Sequence, residues 1–285
     1  MKMHSTDWFS KWNVYSPNKM AVKDASSGES LSYAELNHKG EQLALHLQDF
    51  KDIKKGDRVA VLADFGLPYF MLFAAAQKLG FILVPFNQRL AAREIEFLLS
   101  NSEPALFLAE DKYMSLAQEA NKLLKVPTFS TQSVDAWADT EAEGELKEGP
   151  ELEDPIFILY TSGTTGFPKG AIYTHQMMMW NSVNTALRLN VTASDHTLMV
   201  MPFHTGGWNV LTTPFLHFGA SVTVLPKFEA DEVLDLLESE DVSLFMAVPT
   251  MVRMLADSPN FDKVKLAKLR NFIVGGEALP IALIE

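Results

Sequence analysis

The residues best suited to chemistry lie in one stretch, Tyr160 to Gly170, which reads YTSGTTGFPKG. It combines hydroxyl side chains, glycines and a lysine within a short length of chain. Glycines permit positive φ and a close backbone approach, so successive N–H groups can converge on an oxyanion. Serine and threonine hydroxyls add hydrogen-bond donors, and Lys169 adds a mobile positive charge. The stretch is therefore typical of a polyphosphate site.

Two well-known phosphate-binding patterns do not describe this stretch. A Walker A loop places its second glycine directly before Lys-Ser/Thr, whereas here Lys169 is followed by Gly170. The glycine spacing also differs from the Gly-x-Gly-x-x-Gly of dinucleotide-binding folds. A flexible turn between two strands is the competing interpretation. The lysine, the hydroxyls and the strand pattern just before them favour phosphate binding.

The elements that must position this stretch follow an α/β pattern. A predicted strand at 156–160 leads into it, and strand-length apolar runs alternate with helical patterns along the chain. Pro68 predicts the start of one helix and Gly80 its end, because proline suits the first turn and glycine the residue after the last. The other predicted strands are 58–62, 81–85, 105–108, 221–225, 244–248 and 272–274. The other predicted helices are 91–99, 112–124, 175–189, 204–218 and 230–239.

Composition narrows the class of protein further. With 24 basic and 36 acidic residues the net charge is −12, which disfavours nucleic acid and anionic membranes as partners. The absence of cysteine excludes a disulfide framework, a thiolate metal site and a cysteine nucleophile. The longest apolar stretch, 65–76, is shorter than the roughly 20 residues of a membrane span. We therefore expect a cytoplasmic protein with no transmembrane segment.

His204 is the histidine most suited to an active site. It follows Pro202-Phe203 and is predicted to open the helix 204–218, where the positive end of the helix dipole would favour an anionic carboxylate or phosphate. Gly206 and Gly207 leave room along that helix. Trp208 falls on the same predicted helical face as His204, where a role beside the substrate and a role in core packing are equally consistent with the sequence.

The segment 160–171 resembles the signature of the adenylate-forming superfamily, which includes acyl-CoA synthetases, 4-coumarate–CoA ligases and firefly luciferase. Three further segments are similar to motifs of that superfamily: 78–87, 201–204 and 270–280. The resemblance covers the whole chain. It implies an α/β fold, the large N-terminal domain of such an enzyme, with two α/β lobes built from layered helices and sheets.

The resemblance also implies roles for particular residues. Those that would handle the β- and γ-phosphates of ATP are Thr161, Ser162, Gly163, Thr164, Thr165, Gly166 and Lys169. Thr161 would also lie beside Mg²⁺. Gly275, Gly276 and Glu277 would line the adenine, and His204 would lie at the acyl and adenylate site, with Gly206, Gly207 and Trp208 around the substrate. Catalytic roles are expected for His204 and Lys169.

The implied reaction activates a carboxylic acid with ATP and transfers the acyl group to coenzyme A. A medium- or long-chain fatty acid is the first expectation for the acid. An aryl or cinnamate-type acid is the alternative within the same class, and a non-catalytic nucleotide-binding module is the alternative outside it. Homodimer formation is expected from the resemblance alone.

The domain organisation follows from the same resemblance. Residues 1–285 are expected to be an incomplete N-terminal AMP-binding domain, with the small C-terminal domain absent and little activity on its own. The expected lobes are 52–190 and 11–50 with 191–285. The segment 141–154 is rich in acidic residues with glycine and proline, which predicts a solvated connector.

Overall fold

A computed structural model describes residues 6–161, 168–280 and Leu283. The chain divides into two compact units. Unit 1 comprises Met1–Lys19, Ser32–Met179 and Phe203–Gly206. Unit 2 comprises Met20–Leu31, Trp180–Pro202 and Gly207–Glu285. Each unit is built on its own six-stranded sheet, which confirms the α/β fold class.

The sheet of unit 1 is parallel except at one edge. Its strands are β3 (Arg58–Leu62), β4 (Ile82–Pro85), β5 (Leu106–Ala109), β6 (Thr128–Ser130), β7 (Pro155–Thr161) and β8 (Lys169–Thr174). They lie in the order β6-β5-β3-β4-β7-β8, with only the β7–β8 pair antiparallel. Strands β3, β4 and β5 are apolar and almost wholly buried, as expected for a parallel sheet covered on both faces.

Helices cover both faces of this sheet. They are α1 (Trp8–Tyr15), α2 (Tyr33–Lys51), α3 (Leu67–Leu79), α4 (Ala92–Ser102), α5 (Met114–Ala120) and α6 (Gln132–Ala138). Helices α2, α3 and α6 contact one another, while α4 and α5 form a separate pair. The α4–α5 pair shares a hydrophobic cluster with Ala60, Leu62, Val84 and Phe107 of the strands.

Helix α3 follows the sequence prediction closely. Pro68 lies in its first turn, and Gly80 ends it in the left-handed conformation at φ 83°. Nearly every side chain of α3 is buried, including Gln77 and Lys78. A helix buried on all sides needs apolar residues all round, which is why this segment carries the longest apolar stretch of the chain.

Helix α2 changes the predicted division of the chain. The predicted second lobe joins residues 11–50 to residues 191–285. In the structure, α2 belongs to unit 1 because it packs tightly on α3. A Cβ added at Gly40 would lie 2.5 Å from the Cβ of Ala74, so glycine is required for this close approach. A capping box begins α2: the Ser32 hydroxyl accepts from the Glu35 N–H, and the Glu35 carboxylate accepts from the Ser32 N–H.

The sheet of unit 2 contains β1 (Met20–Asp24), β2 (Ser30–Ser32), β9 (His196–Met199), β10 (Ser221–Val224), β11 (Leu244–Ala247) and β12 (Asn271–Val274). Their order is β12-β11-β9-β10-β1-β2, and the pairs from β12 to β1 are parallel. Its helices are α8 (Trp208–His217), α9 (Ala230–Ser239) and α10 (Pro249–Ala256). Helix α7 (His175–Leu189) begins in unit 1 and ends in unit 2.

Two predicted helices have different limits in the structure. The helix predicted at 204–218 begins only at Trp208, because the Gly206-Gly207 pair forms a turn before it. The helix predicted at 112–124 is a short 3₁₀ turn, Asp111–Tyr113, followed by α5, which ends at Ala120. No helix in the described ranges is both long and apolar enough to cross a membrane.

The acidic connector 141–154 forms neither helix nor strand. Two glutamines of α2 nevertheless hold its backbone. The side-chain oxygen of Gln42 accepts from the Ala142 N–H, and that of Gln48 accepts from the Lys147 N–H. The connector therefore follows the surface of unit 1 through backbone hydrogen bonds, while its acidic side chains remain largely exposed.

Candidate active site

The carboxyl ends of β3, β4, β5 and β7 meet at one edge of the unit 1 sheet because these strands are parallel. Parallel α/β sheets bind their ligands at this edge, where the loops leave the strands. We refer to it as the unit 1 edge. The predicted phosphate-binding stretch begins here, at the end of β7.

Strands β7 and β8 pair up to the base of that stretch. Thr161 is the last residue of β7 and lies opposite Lys169, the first residue of β8. Both are exposed. Five further predicted phosphate-site residues lie outside the described residues, namely Ser162, Gly163, Thr164, Thr165 and Gly166. The described part of the stretch therefore presents a hydroxyl and an amine to solvent at the unit 1 edge.

The strands beneath Lys169 are packed closely. A Cβ added at Gly170 would lie 2.8 Å from the Cγ2 of Ile158 on β7, so this position requires glycine. Tyr160 lies directly before Thr161, and its ring meets that of Phe86 edge-on at 6.3 Å. The Tyr160 hydroxyl donates to Asn101 Oδ1 at 2.6 Å. These contacts fix the backbone from which Thr161 and Lys169 project.

His204 is held in unit 1 through its neighbour Phe203. The buried Phe203 ring stacks on Tyr69 at 4.2 Å and meets Phe157 edge-on at 5.8 Å. His204 itself is half-buried. Burial, aided by the positive charge of Arg89, lowers the pKa of His204 to about 4. The imidazole is therefore neutral at pH 7 and acts as a hydrogen-bonding group, with no charge of its own to offer an anion.

The prediction that His204 opens a helix, and so benefits from the positive end of the helix dipole, is wrong. Helix α8 begins four residues later at Trp208, so His204 lies in the turn that precedes the helix. For the same reason His204 and Trp208 share no helical face. Trp208 is buried in unit 2 at 1% exposure, and a Cβ on Gly207 would touch Met201 at 3.0 Å. Gly206, unlike Gly207, faces open space, with nothing within 4 Å of an added Cβ.

The predicted adenine-side residues lie at the corresponding edge of the unit 2 sheet. Gly275, Gly276 and Glu277 directly follow β12, whose carboxyl end lies beside that of β11. Gly276 has φ +89°, a conformation that suits glycine, and Glu277 is exposed. The roles proposed for these residues remain predictions.

Arg270 fixes the other end of β12. Its guanidinium donates to Asp195 Oδ2 at 2.9 Å and to the Leu189 carbonyl at the end of α7 at 2.6 Å. Burial opposes ionisation of Asp195, but hydrogen bonds from Arg270 and Ser243 outweigh it and lower the Asp195 pKa. The segment that leads to Gly275 is thus anchored by a partly buried ion pair.

A polar cluster that was not predicted from the sequence lies at the unit 1 edge. Asp64 follows β3, Gln88 and Arg89 follow β4, and Glu110 and Lys112 follow β5. The Asp64 carboxylate accepts from Lys112 Nζ at 2.6 Å and from Gln88 Nε2 at 3.1 Å. Polar residues placed directly after three buried strands were the signal that could have identified this cluster.

Other features of the described residues do not coincide with the predicted site. Two cavities in unit 1 have volumes of about 410 and 390 Å³. The first is lined by residues that include Gln77 and Lys78, the second by residues that include Lys54 and Lys147. Among the described side chains, no group of three or more His, Asp or Glu could hold a metal ion.

The chain is thus an α/β protein with two largely parallel sheets, and its predicted site residues follow the carboxyl ends of strands in both. Within this class, the family of AMP-binding enzymes matches residues 9–285. The chain belongs to this family. The resemblance stated from the sequence is thereby confirmed.

Two curated relatives of the chain are acid–CoA ligases. It is 32% identical over 297 residues to an indoleacetate–CoA ligase of Aromatoleum aromaticum, covering 99% of this chain and 57% of that protein. It is 33% identical over 282 residues to the long-chain-fatty-acid–CoA ligase FadD13 of Mycobacterium tuberculosis, covering 95% of this chain and 54% of that protein. The chain thus spans about half the length of these relatives.

Solved structures agree with this placement. The inhibitor-bound N-terminal domain of FACL13 from Mycobacterium tuberculosis superposes with a TM-score of 0.91 at 29% identity, covering 99% of this chain and 72% of that one. ATP-bound MatB from Rhodopseudomonas palustris superposes with a TM-score of 0.83 at 26% identity, covering 96% of this chain and 55% of that one. The fold is therefore that of the N-terminal domain of adenylate-forming enzymes.

Proposed function

We propose that the protein activates a carboxylic acid with ATP and transfers the acyl group to coenzyme A. The observation that carries this proposal is the exposed Thr161–Lys169 pair at the unit 1 edge, at the base of the adenylate-forming signature. An amine and a hydroxyl projecting from a rigid strand pair suit a phosphate chain, because both groups donate hydrogen bonds to oxyanions.

The proposed reaction has two steps. A carboxylate oxygen of the acid attacks the α-phosphorus of ATP, the bond to the β-phosphate oxygen breaks, and acyl-adenylate and pyrophosphate result. The coenzyme A thiol then loses its proton and attacks the acyl carbon, which releases AMP. Neither step requires a protein nucleophile, so catalysis rests on positioning and on neutralising charge. In this proposal Lys169 holds the β- and γ-phosphates through its ammonium group.

His204 and Thr161 have different parts in the proposal. A neutral His204 can donate one hydrogen bond and accept another, which suits a carboxylate that becomes the acyl part of a mixed anhydride. Thr161 offers one hydroxyl oxygen, a ligand type that Mg²⁺ accepts while it keeps waters and substrate phosphates. Such a site needs no cluster of protein carboxylates. When bound, Mg²⁺ supplies positive charge that offsets the charge of the phosphates.

The substrate class is proposed as a medium- or long-chain fatty acid. The likeness to the long-chain-fatty-acid–CoA ligase supports a chain-like acyl group, and Gly206 is exposed and leaves space for one. An aryl acid is the second candidate, favoured by the likeness to the indoleacetate–CoA ligase, which is as strong as that to the fatty-acid ligase. The cytoplasm is the proposed location, because a protein without cysteine needs no oxidising compartment in which to form disulfides.

Binding of non-hydrolysable acyl-sulfamoyl-adenosines to this chain tests the proposal. We expect the dodecanoyl compound to bind more tightly than the cinnamoyl and indoleacetyl compounds, as measured by calorimetry. The reverse order would establish the aryl alternative. Binding of ATP and AMP without any gain from an acyl group would favour a nucleotide-binding module. Failure of every adenosine compound to bind would overturn the proposal.

Catalysis by residues 1–285 alone is proposed to be weak. Residues 1–285 span only about half the length of the relatives, so the full activity of such an enzyme is not expected from them. We therefore expect little ATP–pyrophosphate exchange from this polypeptide with any acid. Robust exchange would show that the N-terminal domain suffices for the first step.

A further inference from the structure

The carboxylate of Asp64 joins three segments at the unit 1 edge. It lies after β3 and accepts hydrogen bonds from Gln88 Nε2 at 3.1 Å, from the Tyr113 hydroxyl at 2.8 Å and from Lys112 Nζ at 2.6 Å. Gln88 belongs to the loop after β4, and Lys112 and Tyr113 to the turn after β5. One side chain thus holds together the loops that leave three neighbouring strands.

Glu110 strengthens this arrangement. Its carboxylate accepts from the Asp64 N–H at 2.8 Å and pairs with Lys112 Nζ at 2.8 Å. Burial acts to lower the pKa of Lys112, but hydrogen bonds to Asp64 and Glu110 outweigh it and raise that pKa. Burial and the hydrogen bond to Asp64 also raise the pKa of Tyr113, to about 12. Both donors therefore keep their protons throughout the physiological range.

The loop that Asp64 holds through Gln88 carries Arg89, whose positive charge adds to the effect of burial in lowering the pKa of His204. We call residues 87–90 the β4–α4 loop. The side-chain Oδ1 of Asn87 accepts from the Arg89 N–H at 3.0 Å. The backbone carbonyl of Asn87 accepts from the Leu90 N–H at 3.1 Å, so the loop is a compact turn. Arg89 is the charged residue whose field acts on His204.

A second path connects the Asp64 segment with His204. The carbonyl of Ala63, next to Asp64, accepts from the Tyr69 hydroxyl at 3.4 Å. The Tyr69 ring stacks on Phe203, which directly precedes His204. The segment Ala63-Asp64 therefore contacts both the support of His204 and the loop that carries Arg89.

We propose that Asp64 is a positioning residue of the active site: its carboxylate holds the β4–α4 loop, and with it Arg89, at a fixed place beside His204. The inference rests on the proposed function only where it calls this place an active site. It predicts that the loop becomes mobile and that Arg89 moves away from His204 when the Asp64–Gln88 tie is lost. The tie acts on His204 through Arg89 and does not touch the reacting atoms.

Three variants of the full chain separate positioning from general stability. Asp64→Ala removes every hydrogen bond to the Asp64 carboxylate. Gln88→Leu removes only the one from the β4–α4 loop, so it is the variant to use if Asp64→Ala does not fold. Asp111→Asn is the matched control. Asp111 also accepts two side-chain hydrogen bonds, from Ser130 at 2.5 Å and Gln132 at 2.7 Å, but it contacts neither the β4–α4 loop nor Asp64 in the described structure.

Two measurements without any ligand test the inference. Hydrogen exchange at the amides of Arg89 and Leu90 should become about tenfold faster in Asp64→Ala and in Gln88→Leu, because the loop opens locally. The pKa of His204, followed by NMR, should lie higher in both loop variants than in the parent chain, because the charge of Arg89, which adds to the larger effect of burial, is no longer held nearby. Asp111→Asn should leave both unchanged.

The inference is overturned if both loop variants keep the exchange rates and the His204 pKa of the parent chain, or if Asp111→Asn shifts them equally. These outcomes do not depend on the reaction. A parent chain that binds no adenosine compound, with the shifts present, would end the proposed function and leave the positioning role of Asp64 intact.

Discussion

Lys78 is a buried charge whose surroundings explain why a lysine stands in an otherwise apolar helix. Its side chain is 6% exposed, and its Nζ lies 2.8 Å from Asp7 Oδ2 and 2.8 Å from Asn37 Oδ1. Asp7 also caps α1 by accepting from the Ser10 N–H at 3.0 Å. The group belongs to one of the segments that resembles the adenylate-forming motifs, and here it ties α1 and α2 to α3.

Replacement of Lys78 by methionine should lower the free energy of unfolding by about 3–5 kcal/mol, because it leaves the Asp7 carboxylate buried without its cation. The double variant with Asp7→Asn should recover part of this loss. Lys54→Met is the control, since the Lys54–Asp52 pair is 70% and 84% exposed and is expected to contribute about 0–1 kcal/mol. Urea unfolding measures all three, and equal effects of Lys78→Met and Lys54→Met would contradict the prediction.

Among the elements, the β7–β8 pair controls the position of Thr161 and Lys169. Gly170 allows the two strands to approach, and Gly206 by contrast has open space around it. Gly170→Ala should therefore cost about 1–3 kcal/mol of stability through overlap with Ile158. Gly206→Ala should leave stability nearly unchanged. Thermal unfolding of both variants checks this, and a Gly170→Ala protein as stable as Gly206→Ala would refute the tight contact.

How far the sequence predicted each element depended on whether local residues or tertiary packing decided it. Pro68 and Gly80 are local signals, and α3 begins and ends where they predicted. Strand β8 was missed because its exposed edge residues lack the apolar pattern of a buried strand. The predicted start of α8 was wrong because the pair Gly206-Gly207, which is typical of a turn, was taken as part of the helix.

The candidate site likewise contains residues that the sequence predicted and residues that it did not. The stretch around Lys169 was found because its glycines and hydroxyls are contiguous in sequence. Asp64, Gln88 and Lys112 each come shortly after a buried strand, which is a signal in the sequence, but their meeting depends on the order of strands β5, β3 and β4, which no local pattern reveals. The capping box of Ser32 and Glu35, by contrast, is a sequence pattern that could have placed α2.

At the scale of the whole molecule, buried histidines make stability depend on pH. His175 is 1% exposed, and both of its ring nitrogens lack a hydrogen-bond partner among the described residues. Burial lowers its pKa to about 4, while Asp154 opposes the shift. The unfolded chain takes up this proton near pH 6.5 and the folded chain only near pH 4, so stability falls as the pH drops between these values.

The parent chain should thus lose about 1–3 kcal/mol between pH 7 and 4.5 from this histidine. The variant His175→Leu should lose correspondingly less over the same range, whatever its stability at pH 7. Urea unfolding at a series of pH values measures the difference. Identical pH dependence in the two proteins would show that His175 ionises equally in the folded and unfolded states.

The central claim for the molecule is that the stretch between Thr161 and Lys169 binds the phosphates of ATP. Calorimetric titration of ATP into the parent chain, Lys169→Ala and Lys122→Ala tests it most directly, since Lys122 is an exposed lysine of unit 1 outside the site. We predict that the parent chain binds ATP weakly and that Lys122→Ala binds it equally well. Lys169→Ala should bind ATP at least about tenfold more weakly, because a hydrogen bond to a charged group contributes about 1.5–3 kcal/mol. Equal affinity of the parent and Lys169→Ala would contradict the account.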